Sequence, residues 1–141
     1  MKTALAVLAT TLFCFAGRAD LKELKNAAEF RALVQQTKVP VIVQFAAYWC
    51  GPCQELKDML TDIAPDYADD KVIVAYVDAY VNSELKSYLQ GGYPTVRTFR
   101  QGKLASEKFV GSAPESFVRN FIDSVITAPV PVSICALELP R

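Results

Sequence analysis

The strongest constraint on the fold is a change of hydrophobic period around residue 50. Val39 to Ala47 is a near-continuous apolar run rich in β-branched residues, the pattern of a strand buried on both faces. Leu56, Met59, Leu60 and Ile63 then recur at i, i+3, i+4 and i+7. That spacing predicts a helix that begins near Cys50 and runs toward Pro65. The junction carries two cysteines separated by two residues, Cys50-Gly51-Pro52-Cys53.

The same reading extends along the chain, with no internal repeat or low-complexity segment. Asn26 precedes an amphipathic stretch in which Ala27, Phe30, Leu33 and Val34 recur at helical spacing. A second buried strand is expected at Val72–Val77, then a short helix opened by Asn82 or Ser83 and stopped by Gly91-Gly92. Thr95–Arg100 and Leu104–Val110 flank Gln101-Gly102-Lys103, which reads as an antiparallel hairpin. Ser112-Ala113-Pro114-Glu115 has the form of a capping box. The helix after it would place Phe117, Phe121, Ile122 and Val125 on one face. Strands alternating with helices, closed by a hairpin and a helix, give an α/β chain whose sheet is parallel in part and antiparallel at its end.

The N-terminus departs from this pattern. Lys2 precedes an uncharged, apolar stretch from Thr3 to Gly17, with small residues near the end (Ala16, Gly17, Ala19). The stretch is shorter than the ~18 residues a spanning helix needs and has the form of a secretory signal peptide. Residues 1–19 are therefore expected to be the signal, with cleavage after Ala19, residues 20–126 the domain, and residues 127–141 a loose tail with Pro129, Pro131 and Pro140. The expected location is outside the cytoplasm, periplasmic or secreted, with membrane attachment only if the N-terminal segment is retained. The whole chain has formal net charge zero and no basic block of five or more, so nucleic-acid binding has no electrostatic support.

Chemistry points to the cysteine pair. The chain has no histidine, which removes His-based metal sites, Ser-His-Asp triads and Cys-His nucleophile pairs. Zinc would want four ligands, and Cys135 is the only cysteine beyond the pair once Cys14 leaves with the signal. A purely structural disulfide across so short a loop would constrain the unfolded chain little. A first cysteine at a helix N-terminus, by contrast, meets unpaired N–H groups and the positive end of the macrodipole, which favour its thiolate. The second cysteine is within disulfide reach and can resolve a mixed disulfide. Pro52 suits the first helical turn, and Gly51 leaves room for a partner chain. Pro94 by itself is compatible with a simple turn, and Trp49 with either core or contact surface.

Val41-Ile42-Val43-Gln44-Phe45-Ala46-Ala47-Tyr48-Trp49-Cys50-Gly51-Pro52-Cys53 resembles the active-site strand and loop of the thioredoxin family. Gly92-Tyr93-Pro94-Thr95 resembles that family's second signature, and Phe99–Lys103 with Val110-Gly111 its closing hairpin. The similarity covers about residues 21–126. It implies a thioredoxin fold, a central mixed five-stranded sheet flanked by four helices, with a redox-active disulfide between Cys50 and Cys53. It also implies a cis Pro94 and a substrate groove formed by Trp49, the dithiol and the loop of Gly92, Tyr93, Pro94 and Thr95. Three positions depart from the family pattern: Gln44 replaces a buried acid, Tyr76 a lysine and Ala46 a tryptophan. Gln44 and Tyr76 are thus candidate tuning residues.

The expected activity is protein dithiol–disulfide exchange, acting as a reductant, with Cys50 the exposed nucleophile and Cys53 the buried resolving thiol. Protein disulfides or dithiols would be the substrates and an unidentified redox partner would lie upstream. A monomer without cofactor or metal is expected. The competing readings are a disulfide oxidase or isomerase, favoured by Tyr93 before the proline, and a non-catalytic binding module, disfavoured by the intact pair.

Overall fold

The computed structural model describes residues 17–129. The proposed signal up to residue 16, and Cys135 with most of the tail, lie outside them. Eight elements and two 3-10 turns follow in chain order: β1 (Lys22–Leu24), α1 (Ala27–Gln36), β2 (Val41–Ala46), α2 (Gly51–Ile63), a 3-10 turn (Ala64–Asp66), β3 (Ile73–Asp78), a 3-10 helix (Ser83–Tyr88), β4 (Thr95–Arg100), β5 (Lys103–Val110) and α3 (Glu115–Thr127). The five strands form one sheet in the order β1-β3-β2-β4-β5. β3 pairs in parallel with both β1 and β2, whereas β4 runs antiparallel to β2 and β5.

Central β2 explains its own sequence: all six of its residues are buried, because both faces are covered. On one face Val41, Val43 and Phe45 pack with Phe30 and Val34 of α1, Leu85 and Phe99. Phe30, Phe45, Tyr88 and Phe99 meet there mostly edge to face, with ring centroids 5.1–6.3 Å apart. On the other face Ile42 packs with Leu56, Leu60 and Ile63 of α2 and with Val118, Ile122 and Val125 of α3. Cover on both sides fixes the register of β2, and therefore where the cysteine loop leaves the sheet.

Local signals agree with these boundaries in most places. The Asn26 side chain caps α1 by accepting from the Glu29 N–H at 2.9 Å, and the Glu29 carboxylate accepts from the Lys25 N–H at 2.8 Å. Gln101 and Gly102 both have positive φ, 50° and 78°, the two-residue turn that suits a twisted hairpin. The short helix before Gly91 is a 3-10 helix that ends at Tyr88.

Two expectations are corrected. α3 is capped by Pro114, with no side-chain cap hydrogen bond, so Ser112 does not form a capping box. The fixed φ of proline places the helix start two residues later, and Glu115 instead pairs with Arg119 within the helix. The inward face also differs from the expected one: Val118, Ile122 and Val125 face the core, while Phe117 is 47% exposed and lies edge-on to Phe109. β4 buries two arginines. Arg100 reaches Glu107 at 2.6 Å and the Val125 carbonyl at 2.8 Å, and Arg97 donates to the Tyr88 carbonyl at 3.2 Å. Burial raises the Glu107 carboxyl, but the Arg100 hydrogen bond and charge, together with hydrogen bonds from the backbone and Ser106, outweigh it and hold the group below its ordinary value.

Gly17–Ala19 belong to the folded unit. The Ala19 N–H donates to the Tyr67 carbonyl at 2.9 Å, the Asp69 N–H to the Gly17 carbonyl at 3.0 Å, and Arg18 bridges to Ala68. Ala19 is buried. Among the described residues, no helix is long and apolar enough to cross a membrane.

Candidate active site

The cysteine loop hangs from the buried end of β2. Ala47 is buried, Tyr48 and Trp49 turn outward, and the Cys50 N–H returns to the Ala47 carbonyl at 3.0 Å. Cys50 is the N-cap of α2, in extended backbone, and Gly51 and Pro52 form the first helical positions. The Cys50 sulfur accepts from the Cys53 N–H at 3.2 Å, so the group that would carry the thiolate sits against the unpaired donors of a 13-residue helix. Cys50 and Cys53 are joined as a disulfide with Cα atoms 5.2 Å apart.

Accessibility separates the two cysteines, though less than the sequence led us to expect. Cys50 keeps 7% of its surface and Cys53 none. The expectation of an exposed Cys50 is corrected to a sliver of access: both cysteines pack with Ala46, Ala47 and Tyr76, and Tyr93 leans on that cluster. A sliver suffices for an incoming sulfur, since exchange needs contact at one atom.

The loop opposite the dithiol carries the remaining groove residues. The Tyr93–Pro94 bond is cis. Pro94 is buried, while Gly92 and Tyr93 are partly exposed. Thr95 is fully buried and shapes the loop, its hydroxyl donating to the Gly92 carbonyl at 2.7 Å and accepting from the Gln90 N–H at 3.2 Å. Burial, then the nearby Asp78 charge, raises the Tyr93 phenol above its ordinary value, so it stays neutral at physiological pH.

Trp49 is 56% exposed and meets Tyr93 at 5.7 Å and Tyr80 at 5.6 Å; Tyr80 in turn meets Tyr48 at 5.9 Å. Sequence reasoning missed Tyr48 and Tyr80. Tyr80 follows the carboxyl end of β3, where open α/β sheets place their sites, and that position is the signal that could have found it. The Asp78 carboxylate fixes this corner by accepting from the N–H groups of Tyr80 and Val81 at 2.8 and 2.9 Å.

Gln44 and Tyr76 are register partners on β2 and β3. Gln44 is completely buried, and its side-chain amide donates to the Cys53 carbonyl at 2.8 Å. The amide oxygen, Oε1, is buried without a hydrogen-bond partner. Tyr76 lies beside the cysteine pair with the Lys57 ammonium 4.5 Å from its ring centroid, and Lys57 also pairs with Glu23 at 3.0 Å. Burial raises the Tyr76 phenol above its ordinary value, against the lowering effects of Gln54 and Lys57. No cluster of three or more potential metal ligands occurs among the described residues.

A mixed sheet with a helix-capping CxxC opposite a cis proline defines a dithiol–disulfide exchange protein. Comparison with known proteins agrees. The Thioredoxin family model matches residues 21–124. A thioredoxin from Acidithiobacillus ferridurans is 35% identical over 96 residues, which cover 67% of this chain and 87% of that protein. A probable thioredoxin-2 from Caenorhabditis elegans is 32% identical over 84% of this chain and 81% of its own length. Among solved structures, a mutant thioredoxin from Halobacterium salinarum superposes with a TM-score of 0.67 at 30% identity, covering 82% of this chain and 98% of that one. The chain belongs to the thioredoxin family and is a thiol–disulfide oxidoreductase.

Proposed function

We propose that this protein is a dithiol reductant of protein disulfides that works after export from the cytoplasm. Cys50 attacks a substrate disulfide, Cys53 resolves the mixed disulfide, and the protein leaves oxidised as it is seen here. The observation that carries these roles is the asymmetry of the pair, one cysteine partly accessible at a helix N-terminus and the other fully buried. Trp49, Gly51 and Pro52 form the rim, and Gly92, Tyr93 and cis Pro94 the opposite wall against which a substrate strand lies. The names of the relatives above support the reductant direction.

Export rests on the N-terminal segment. The contacts of Gly17–Ala19 favour a cut upstream of the expected one, because cleavage after Ala19 would strip a buried residue and two backbone hydrogen bonds from the domain. Cys14-Phe15-Ala16 offers small residues at the positions a signal peptidase reads, with Gly17 as the new N-terminus. Fractionation of bacterial cells making the full chain, followed by N-terminal sequencing, should find a periplasmic protein beginning at Gly17. Protein retained in the cytoplasm with Met1 or Lys2 at its start would contradict the export half of the proposal.

A further inference from the structure

The buried amide of Gln44 does only half of its possible work in the oxidised protein. Its nitrogen donates to the Cys53 carbonyl at 2.8 Å, whereas its oxygen is buried with no donor facing it. A primary amide oxygen offers two lone pairs, and leaving it unmet in a sealed site carries its full desolvation cost. The phenol of Tyr76, the register partner of Gln44 on β3, does not bond to it. Gln44 and Cys53 are both without exposed surface.

Reduction changes what surrounds that oxygen. A dithiol reductant delivers two electrons and two protons: the Cys50–Cys53 bond breaks, a disulfide forms in the reductant, and each protein sulfur is left as a thiol, Cys50 then free to ionise. Cys53 thereby gains an S–H in a pocket where water has no access, on the residue whose carbonyl already anchors the Gln44 amide. We propose that Gln44 Oε1 is the acceptor for the Cys53 S–H in the reduced protein, and that this bond, absent from the oxidised form, biases the pair toward the dithiol. Gln44 is in this sense a positioning residue with a redox-linked partner. A carboxylate there would take the proton away; the amide holds it on sulfur. The proposal rests on the pair cycling between disulfide and dithiol, and its readouts are independent of substrate and of the direction of electron flow in the cell.

Two measurements test it. Gln44→Leu keeps the volume and removes both halves of the amide. The bond to the Cys53 carbonyl is lost in both redox states and cancels, while the orphaned oxygen is lost from the oxidised state only. The equilibrium constant for reduction by glutathione should fall about tenfold, equivalent to a potential about 30 mV more negative. An unchanged or more positive potential would overturn the assignment. Infrared difference spectra of the unmodified full chain, reduced minus oxidised, near pH 8, read the bond directly. The thiols of Cys14 and Cys135 cancel in the difference, and Cys50 is a thiolate at that pH if it falls in the roughly 3.5–7.5 range of helix-N-terminal cysteines. The S–H band of Cys53 should lie below that of an alkylthiol in hydrocarbon. A band at the hydrocarbon position would overturn the proposal even if the leucine variant fails to fold.

Discussion

Cys50→Ser should abolish disulfide reduction, a loss on the order of 10³-fold or more, while Cys53→Ser should still attack and then stall. The difference follows from placement. The Cys50 sulfur caps α2, and the residue keeps 7% of its surface, so it can meet an incoming disulfide as a stabilised thiolate. Cys53 has no exposed surface and can reach only a sulfur already bonded to Cys50. With Cys53 as serine, the substrate stays attached to Cys50 because a hydroxyl cannot displace it. Mass spectrometry of each variant after mixing with an oxidised protein substrate checks this. Adducts should accumulate on Cys53→Ser alone, and accumulation on Cys50→Ser would reverse the two roles.

Gln44→Asp should speed the resolving step near neutral pH and cost stability as pH rises. Resolution requires Cys53 to lose a proton inside a dry pocket, and an amide cannot accept it while a carboxylate can. The shorter side chain also withdraws from the Cys53 carbonyl, leaving room for a water to relay the proton. Positioned bases supply about 10²–10⁴-fold in favourable cases, and a gain at or below the lower end is expected because thiols ionise readily unaided. Burial raises the folded-state pKa of the new carboxyl above its unfolded value of about 3.9. The variant is then least penalised below that unfolded pKa, and stability is lost as pH rises toward and through the raised folded value. Stopped-flow reduction of a model disulfide from pH 6 to 9, with denaturant melts at the same pH values, reads both effects. Rate profiles identical to those of the unmodified protein would leave Gln44 with no part in proton transfer.

The parts of the fold that were legible in the sequence are those where one period dominates. β2 announces itself because both of its faces are covered, and α2 because its buried residues Leu56, Leu60 and Ile63 are one helical turn apart. β1 was not visible in the residues themselves: Lys22–Leu24 is three residues long, largely exposed, and held by its pairing to β3. The start of α3 was misjudged because Ser112 and Glu115 match a capping pattern that the intervening Pro114 overrides by fixing the backbone itself. At the site, the cysteine pair and Pro94 were recognisable from motifs. Tyr80 was not, since it lies 30 residues beyond Cys50 and joins Trp49 only once β2 and β3 are paired. Gln44 could be marked as a departure from a pattern, but the single-sided bonding of its amide is a fact of three-dimensional packing.

The reductant reading turns on the relative stability of the dithiol and the disulfide, and one equilibrium reports it. The mature protein is incubated in glutathione redox buffers at pH 7, thiols are trapped by alkylation, and the reduced fraction of Cys50–Cys53 gives the potential. A reductant should lie below the glutaredoxin range of about −200 to −230 mV, toward the roughly −270 mV of thioredoxins. A potential at or above about −200 mV, in the direction of the roughly −180 mV of protein disulfide isomerase, would contradict the account and make the protein a donor of disulfides.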